Sequence, residues 1–119
     1  MAGFEDLRIW QISADLIVQT YELIKKFPVA EKYGLASQLS RSVNSVGANI
    51  AESTGRFHYK DRTKFLYNAR GSLIETEHHF TIANRLGYVS DKKLAEIRQR
   101  LKDLGIKLNN FINSSKNDG

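Results

Sequence analysis

RSVNSVGANIAESTGR, residues 41–56, has the apolar spacing of a helix and the composition of a loop. Val43, Val46 and Ile50 recur at intervals of three and four, which is one face of a 3.6-residue period. Around them stand asparagines, small residues and the charges of Arg41, Glu52 and Arg56. Extended back through Leu39 and Ala36 and forward to Ser53, the row predicts a helix over about 34–54.

A helical wheel divides this segment into three faces. Leu39, Val43, Val46, Ile50 and Ser53 form a core stripe. Ser37, Ser40, Asn44, Gly47, Ala48, Ala51 and Gly55 form a second face of small residues. Gln38, Arg41, Ser45, Asn49, Glu52 and Arg56 form a third, polar and charged. Solvated helix faces favour Lys, Glu and Gln, whereas Gly, Ser and Asn there cost up to ~1 kcal/mol each. Small side chains let another backbone come close, so the second face predicts contact with a further helix, of this chain or another subunit. The third face suggests a polar network of Arg41, Asn49, Glu52, Arg56, Arg70 and Glu75 between the second and third helices. The same groups could instead present donors to a ligand.

Three more helical rows flank it. Leu7, Trp10, Ala14, Ile17, Tyr21 and Ile24 predict a helix over about 7–27, ended by Phe27-Pro28 because proline disfavours helix in the residue before it. Leu66, Ala69, Leu73, Thr76, Phe80 and Ala83 predict one over about 61–86, stopped near Gly87. Leu94, Ile97, Leu101, Leu104, Leu108 and Phe111 predict a fourth over about 90–113, capped by Ser90. Strand alternation and hairpin signals are absent. Four helices with short connections imply an all-α, antiparallel up-down-up-down four-helix bundle, with residues 1–119 forming one domain.

Composition narrows the class. The chain has 119 residues, no cysteine and a formal net charge of +5. Without cysteine there are no disulfides or thiolate metal sites, which suits a reducing cytoplasm. The charged start MAGFEDLRIWQ lacks an apolar signal core, and no run approaches the ~18 apolar residues of a membrane span. A cytoplasmic protein is expected. Residues 1–33 carry four Lys/Arg against five acids and residues 87–119 carry seven against four, so positive charge builds toward the C-terminal half.

In order, FEDLRIWQ, KKFPVAEKYGLASQLSRSVNSVGANIAES-GR, FLYNARGSLIETE and ANRLGYVS resemble a four-helix-bundle family, the 23S rRNA intervening sequence proteins. Its founding members are encoded in intervening sequences of bacterial large-subunit ribosomal RNA genes. The resemblance runs from residue 4 to about 112. The family's polar features fall here on Arg41, Asn49, Glu52, Arg56, Gly71, Ser72 and Glu75. The chain departs from the pattern near Gly47, where a proline is common, and at Ser53, where a glycine is common. The resemblance implies a compact bundle assembling as a ring-like homopentamer. It also implies a distant relation to the accessory proteins of diversity-generating retroelements, which bind nucleic acid and a reverse transcriptase.

The candidate chemistry is electrostatic. RFHYKDRTKFLY, residues 56–67, sets Arg56, His58, Lys60, Arg62 and Lys64 among Phe57, Tyr59, Phe65 and Tyr67. Cations meet phosphate and neighbouring aromatics stack unpaired bases. The competing reading has Phe57, Phe65 and Tyr59 closing the core while the cations are merely solvated. On the fourth helix, Lys93, Arg100 and Lys107 recur every seven residues as a basic ridge, unless local Glu96–Arg100 and Asp103–Lys107 pairs consume them. Glu75-Thr76-Glu77-His78 is a single Glu-x-x-His where a di-iron bundle needs two, so neither metal nor cofactor is expected. Nucleophile and phosphate-loop motifs are missing, and no enzyme is expected. The expected function is RNA or DNA binding by a homo-oligomer through Arg56, Lys60, Arg62, Lys64, Lys93, Arg100 and Lys107. The alternative is a structural or adaptor assembly that binds a protein.

Overall fold

The computed structural model describes residues 3–116. Four long helices carry the chain: α1 (Arg8–Ile24), α2 (Leu35–Thr54), α3 (Tyr59–Arg85) and α4 (Asp91–Ser115). Short 3-10 turns at Phe4–Asp6 and Val29–Glu31 precede the first two, and no strand occurs among the described residues. The four-helix bundle is elongated, 46 × 24 × 21 Å. α2 packs on both α1 and α3, while α4 packs on α3 and, less extensively, on α1. No described helix is long and apolar enough to cross a membrane.

The rows of α2, α3 and α4 are the core. Leu39, Val43, Val46, Ile50, Leu66, Phe80, Ile97, Leu104 and Leu108 are all fully buried. α1 differs. Its buried residues are Ile9, Ser13, Leu16 and Thr20, whereas Tyr21 of the expected row is exposed. α1 spreads its apolar residues over a wide arc, and the expected row picked out the side facing α2, where Ile17 lies against Gly47. Ser13 and Thr20 tolerate burial because their hydroxyls donate to the Trp10 and Leu16 carbonyls at 2.7 and 2.8 Å.

The helix ends follow local chemistry. α1 stops at Ile24 rather than near 27, because the N–H groups of Lys26 and Phe27 turn to the i−3 carbonyls of Leu23 and Ile24. α3 closes on Gly87 at φ +84°. The Gly87 and Tyr88 N–H groups bond the Asn84 and Ala83 carbonyls, a Schellman turn. Ser90 caps α4, its hydroxyl accepting from the Lys93 N–H at 3.1 Å.

The α1–α2 and α3–α4 connections meet. The Phe27 and Tyr88 rings pack at 5.5 Å between centroids with their planes tilted by 45°, and the Tyr88 hydroxyl donates to Glu31 at 2.9 Å. That bond foremost, then burial and the Glu31 charge, raises the Tyr88 phenol above its ordinary 10.0. A group raised on folding contributes stability that is complete below its unfolded value and is lost as pH rises through the folded one. Tyr88→Phe should therefore melt lower at neutral pH and show a shallower loss of stability above pH ~10. Parallel alkaline limbs for the two proteins in thermal melts would show that the bond contributes nothing.

Candidate nucleic-acid interface

The opposite end of α2, about 30 Å from those connections, carries the basic segment. α2 ends at Thr54. The Gly55 and Arg56 N–H groups fold back onto Glu52 and Ser53 carbonyls at 3.1 and 3.2 Å. His58 is extended, and α3 starts at Tyr59. Arg62 donates from its first turn to the Phe57 carbonyl, tying the connection to the helix. Arg56 pairs with Glu52 at 2.6 Å and lies over the Phe65 ring at 4.8 Å. A hollow of about 610 Å³ opens here, lined by residues 54–59 and Arg62.

Its electrostatics are one-sided. Between Gly55 and Tyr67 there are four Lys/Arg and one acid, Asp61. Lys60 and Lys64 are exposed, and neither forms an ion pair among the described residues. Phe65 and Tyr59 are half-buried, but Phe57 is 88% exposed, so it does not close the core. Cations with free heads can hold phosphate, and an exposed ring can contact a base face.

The seven cations expected to bind nucleic acid do not form one patch. Arg56, Lys60, Arg62 and Lys64 share the α2–α3 connection. Lys93, Arg100 and Lys107 span about 21 Å along α4. Local partners there differ from the expected pairs. Glu96 pairs with Lys93 at 3.0 Å, which holds its carboxyl below the ordinary 4.5. Arg100 donates to Gln19 of α1 at 2.8 Å, and Asp103 accepts from Gln99 at 3.0 Å. Lys107 shares a second hollow with Arg8, Asp15 and Asp103.

Of the six residues of the expected polar network, Glu52 and Arg56 meet each other, and the other four do not join them. Glu52 meets Arg56, which lies just past the end of α2. Asn49 donates to the Ser45 carbonyl at 2.9 Å, and Glu75 faces His79 at 3.4 Å. Arg70 covers Tyr67 at 4.7 Å and donates to Asn109 of α4 at 3.0 Å, which turns it away from α2. Arg41 is exposed and borders a groove with Gln38, Glu75 and His79. Glu52, Asn49 and Glu75 meet neighbours one helical turn away, and this keeps the set from closing into one network. Glu52 is half exposed, so Glu52→Ala should cost only ~0.5 kcal/mol or less in a urea melt. A loss above ~2 kcal/mol would require a buried partner for it.

What joins α2 to α3 is smaller. Thr76 Oγ1 lies 3.0 Å from Ser42 Oγ, and Ser72 Oγ lies 3.0 Å from Ser45 Oγ. Ser42 and Thr76 are buried. Thr76 belongs to the apolar row of α3 and Ser45 to the polar face of α2, and spacing alone does not pair them. The available signal was a hydroxyl at core spacing on each of two neighbouring helices. His79, 8% exposed, is the buried member of the adjacent histidines. Among the described residues no group of three or more His, Asp or Glu side chains is placed to hold a metal.

These features define an all-helical, four-helix-bundle protein with a basic, aromatic connection at one end. The chain belongs to the 23S rRNA-intervening sequence protein family, whose model matches residues 5–110. A crystal structure of a protein of unknown function from Bacteroides thetaiotaomicron, of the S23 ribosomal protein family, superposes with a TM-score of 0.81. The two are 23% identical over 87% of this chain and 97% of the other, a likeness of fold. No curated protein matches the chain.

Proposed function

We propose that this protein is a non-enzymatic, cytoplasmic nucleic-acid-binding assembly that contacts RNA or DNA through the α2–α3 connection. The observation that carries the reading is the local excess of cations there, with Lys60 and Lys64 exposed and unpaired among the described residues and Phe57 exposed in the same segment. Opposing phosphate with such cations releases condensed counterions, so affinity should fall steeply as salt rises. Fluorescence anisotropy with labelled single-stranded RNA, single-stranded DNA and duplex DNA, titrated at several salt concentrations, tests it. Failure of the wild type to bind any of the three near physiological salt would refute the reading.

The bundle is read as antiparallel, up-down-up-down. Supporting this, Ser42 and Ser45 of α2 meet Thr76 and Ser72 of α3 in reversed order. Arg70 and Thr81 of α3 likewise meet Asn109 and Arg98 of α4 in reverse. Subunits are read as associating into a ring-like homopentamer, which would place about +25 on one particle. Exposed apolar side chains on α1 and the α1–α2 turn support a protein-covered surface: Val18 is 63% exposed, Val29 89% and Tyr33 88%. Ala48 of the small-residue face is exposed on α2. The same apolar surface favours the second reading, an adaptor whose partner is another protein. Light scattering on the purified protein decides the oligomer, and a monomer would remove it.

A further inference from the structure

We propose that Phe57 is a stacking platform for an unpaired base, so that the nucleic acid this protein takes is single-stranded; the inference rests on the nucleic-acid reading above. Phe57 and Phe65 occupy the same end of the bundle and are used differently. Phe65 is half-buried and carries the Arg56 guanidinium on its face. Phe57 is 88% exposed, and its ring sits edge-to-face with that of His58, at 5.3 Å and 88°. The ring is exposed without being on a loose loop. Its carbonyl is held by Arg62, and the residues before it are bonded back onto α2.

The surroundings match one nucleotide with its phosphates. The hollow beside the ring, about 610 Å³, is bordered by Arg56, Arg62, His58 and Tyr59. Glu52 is already paired with Arg56, which leaves Asp61 as the one acid of the segment free to oppose phosphate. The backbone of a bound strand is therefore directed along Lys60 and Lys64 rather than across Asp61. A duplex keeps its base faces covered by neighbouring pairs and offers Phe57 nothing to stack on. An unpaired base offers a face whatever its identity, so the platform selects strandedness and not sequence.

The experiment compares wild type, Phe57→Ala and Phe57→Trp for binding to three labelled probes. These are an oligothymidylate of about twelve nucleotides, an abasic strand of the same length, and a duplex of the same length. Phe57→Ala should weaken oligothymidylate binding roughly tenfold, the loss of one stacked base. It should leave the abasic strand and the duplex unchanged, and Phe57→Trp should bind the oligothymidylate at least as well as wild type. The thermal melt should hardly move, because the ring is 88% exposed and buries little on folding. Wild type failing to bind any probe overturns the nucleic-acid reading itself. Oligothymidylate binding unaffected by Phe57→Ala overturns the platform alone. Equal weakening on the oligothymidylate, abasic strand and duplex overturns it too, since the ring would then be acting on the shape of the connection.

Discussion

Gly47→Leu is expected to destabilise the bundle by ~1–3 kcal/mol, the usual cost of overpacking, and to do so by forcing α1 away from α2. A Cβ at Gly47 would lie 3.0 Å from Ile17 Cδ1, 3.3 Å from Ser13 Oγ and 3.8 Å from Trp10 Nε1. Ile17 can swing its terminal methyl aside, but Ser13 is fully buried and bonded to the Trp10 carbonyl at 2.7 Å. Gly47→Ala sets that tight contact against the ~1 kcal/mol by which alanine favours a helix interior over glycine. It should stay within ~1 kcal/mol of wild type. Leucine has the same propensity advantage and three further carbons with no space to enter, so the steric effect wins. Urea denaturation of the three proteins measures the difference. If the leucine variant matches the alanine variant within ~0.5 kcal/mol, the helices are not in close contact there.

Replacing Lys60, Arg62 and Lys64 together by Glu should lower affinity for nucleic acid by roughly two orders of magnitude at ~0.1 M salt. Three lost phosphate contacts, each of the order of 1 kcal/mol, account for that. The formal charge per subunit falls by six, from +5 to −1. Each contact contributes ~0.7–0.9 to the salt slope, so the slope should shrink by ~2–3. The loss should be the same for every sequence, because phosphate contacts position a strand and do not read it. Arg62 also holds the Phe57 carbonyl, so a Lys60→Glu, Lys64→Glu double variant separates charge from the shape of the connection. The matched control reverses Lys93, Arg100 and Lys107. Lys93 and Arg100 already have partners, Glu96 and Gln19, and the three residues are strung along α4. Their reversal should cost much less. If the α4 variant loses binding and the connection variant keeps it, the interface has been assigned to the wrong surface.

The candidate site was partly legible. The alternation of cations and aromatics between Arg56 and Tyr67 marks the segment, and the end of the α2 row places it near a helix terminus. Which aromatic is free could not be read there, because Phe57 and Phe65 are chemically identical and differ only in what packs on them. The grouping of charges was equally hidden. Arg70 could face α2 or α4 on spacing alone, and its bond to Asn109, 39 positions away, settles the direction.

By itself the amino-acid sequence determined the helical class and three of the four buried rows. Hydrophobic period is a local property, and the buried residues of α2, α3 and α4 fall largely on the rows that it marks. Capping was local too, at Ser90 and Gly87. Tertiary structure alone decided which side of α1 turns inward, because apolar residues lie on most of its circumference and only the positions of α2 and α4 choose among them. It also decided the meaning of RSVNSVGANIAESTGR. α2 is sandwiched, with Gly47 allowing α1 to come close and Ser42 and Ser45 meeting Thr76 and Ser72 of α3. Small and hydroxylic side chains are what two close neighbours require of a helix between them, and the identity of those neighbours is not written in the segment itself.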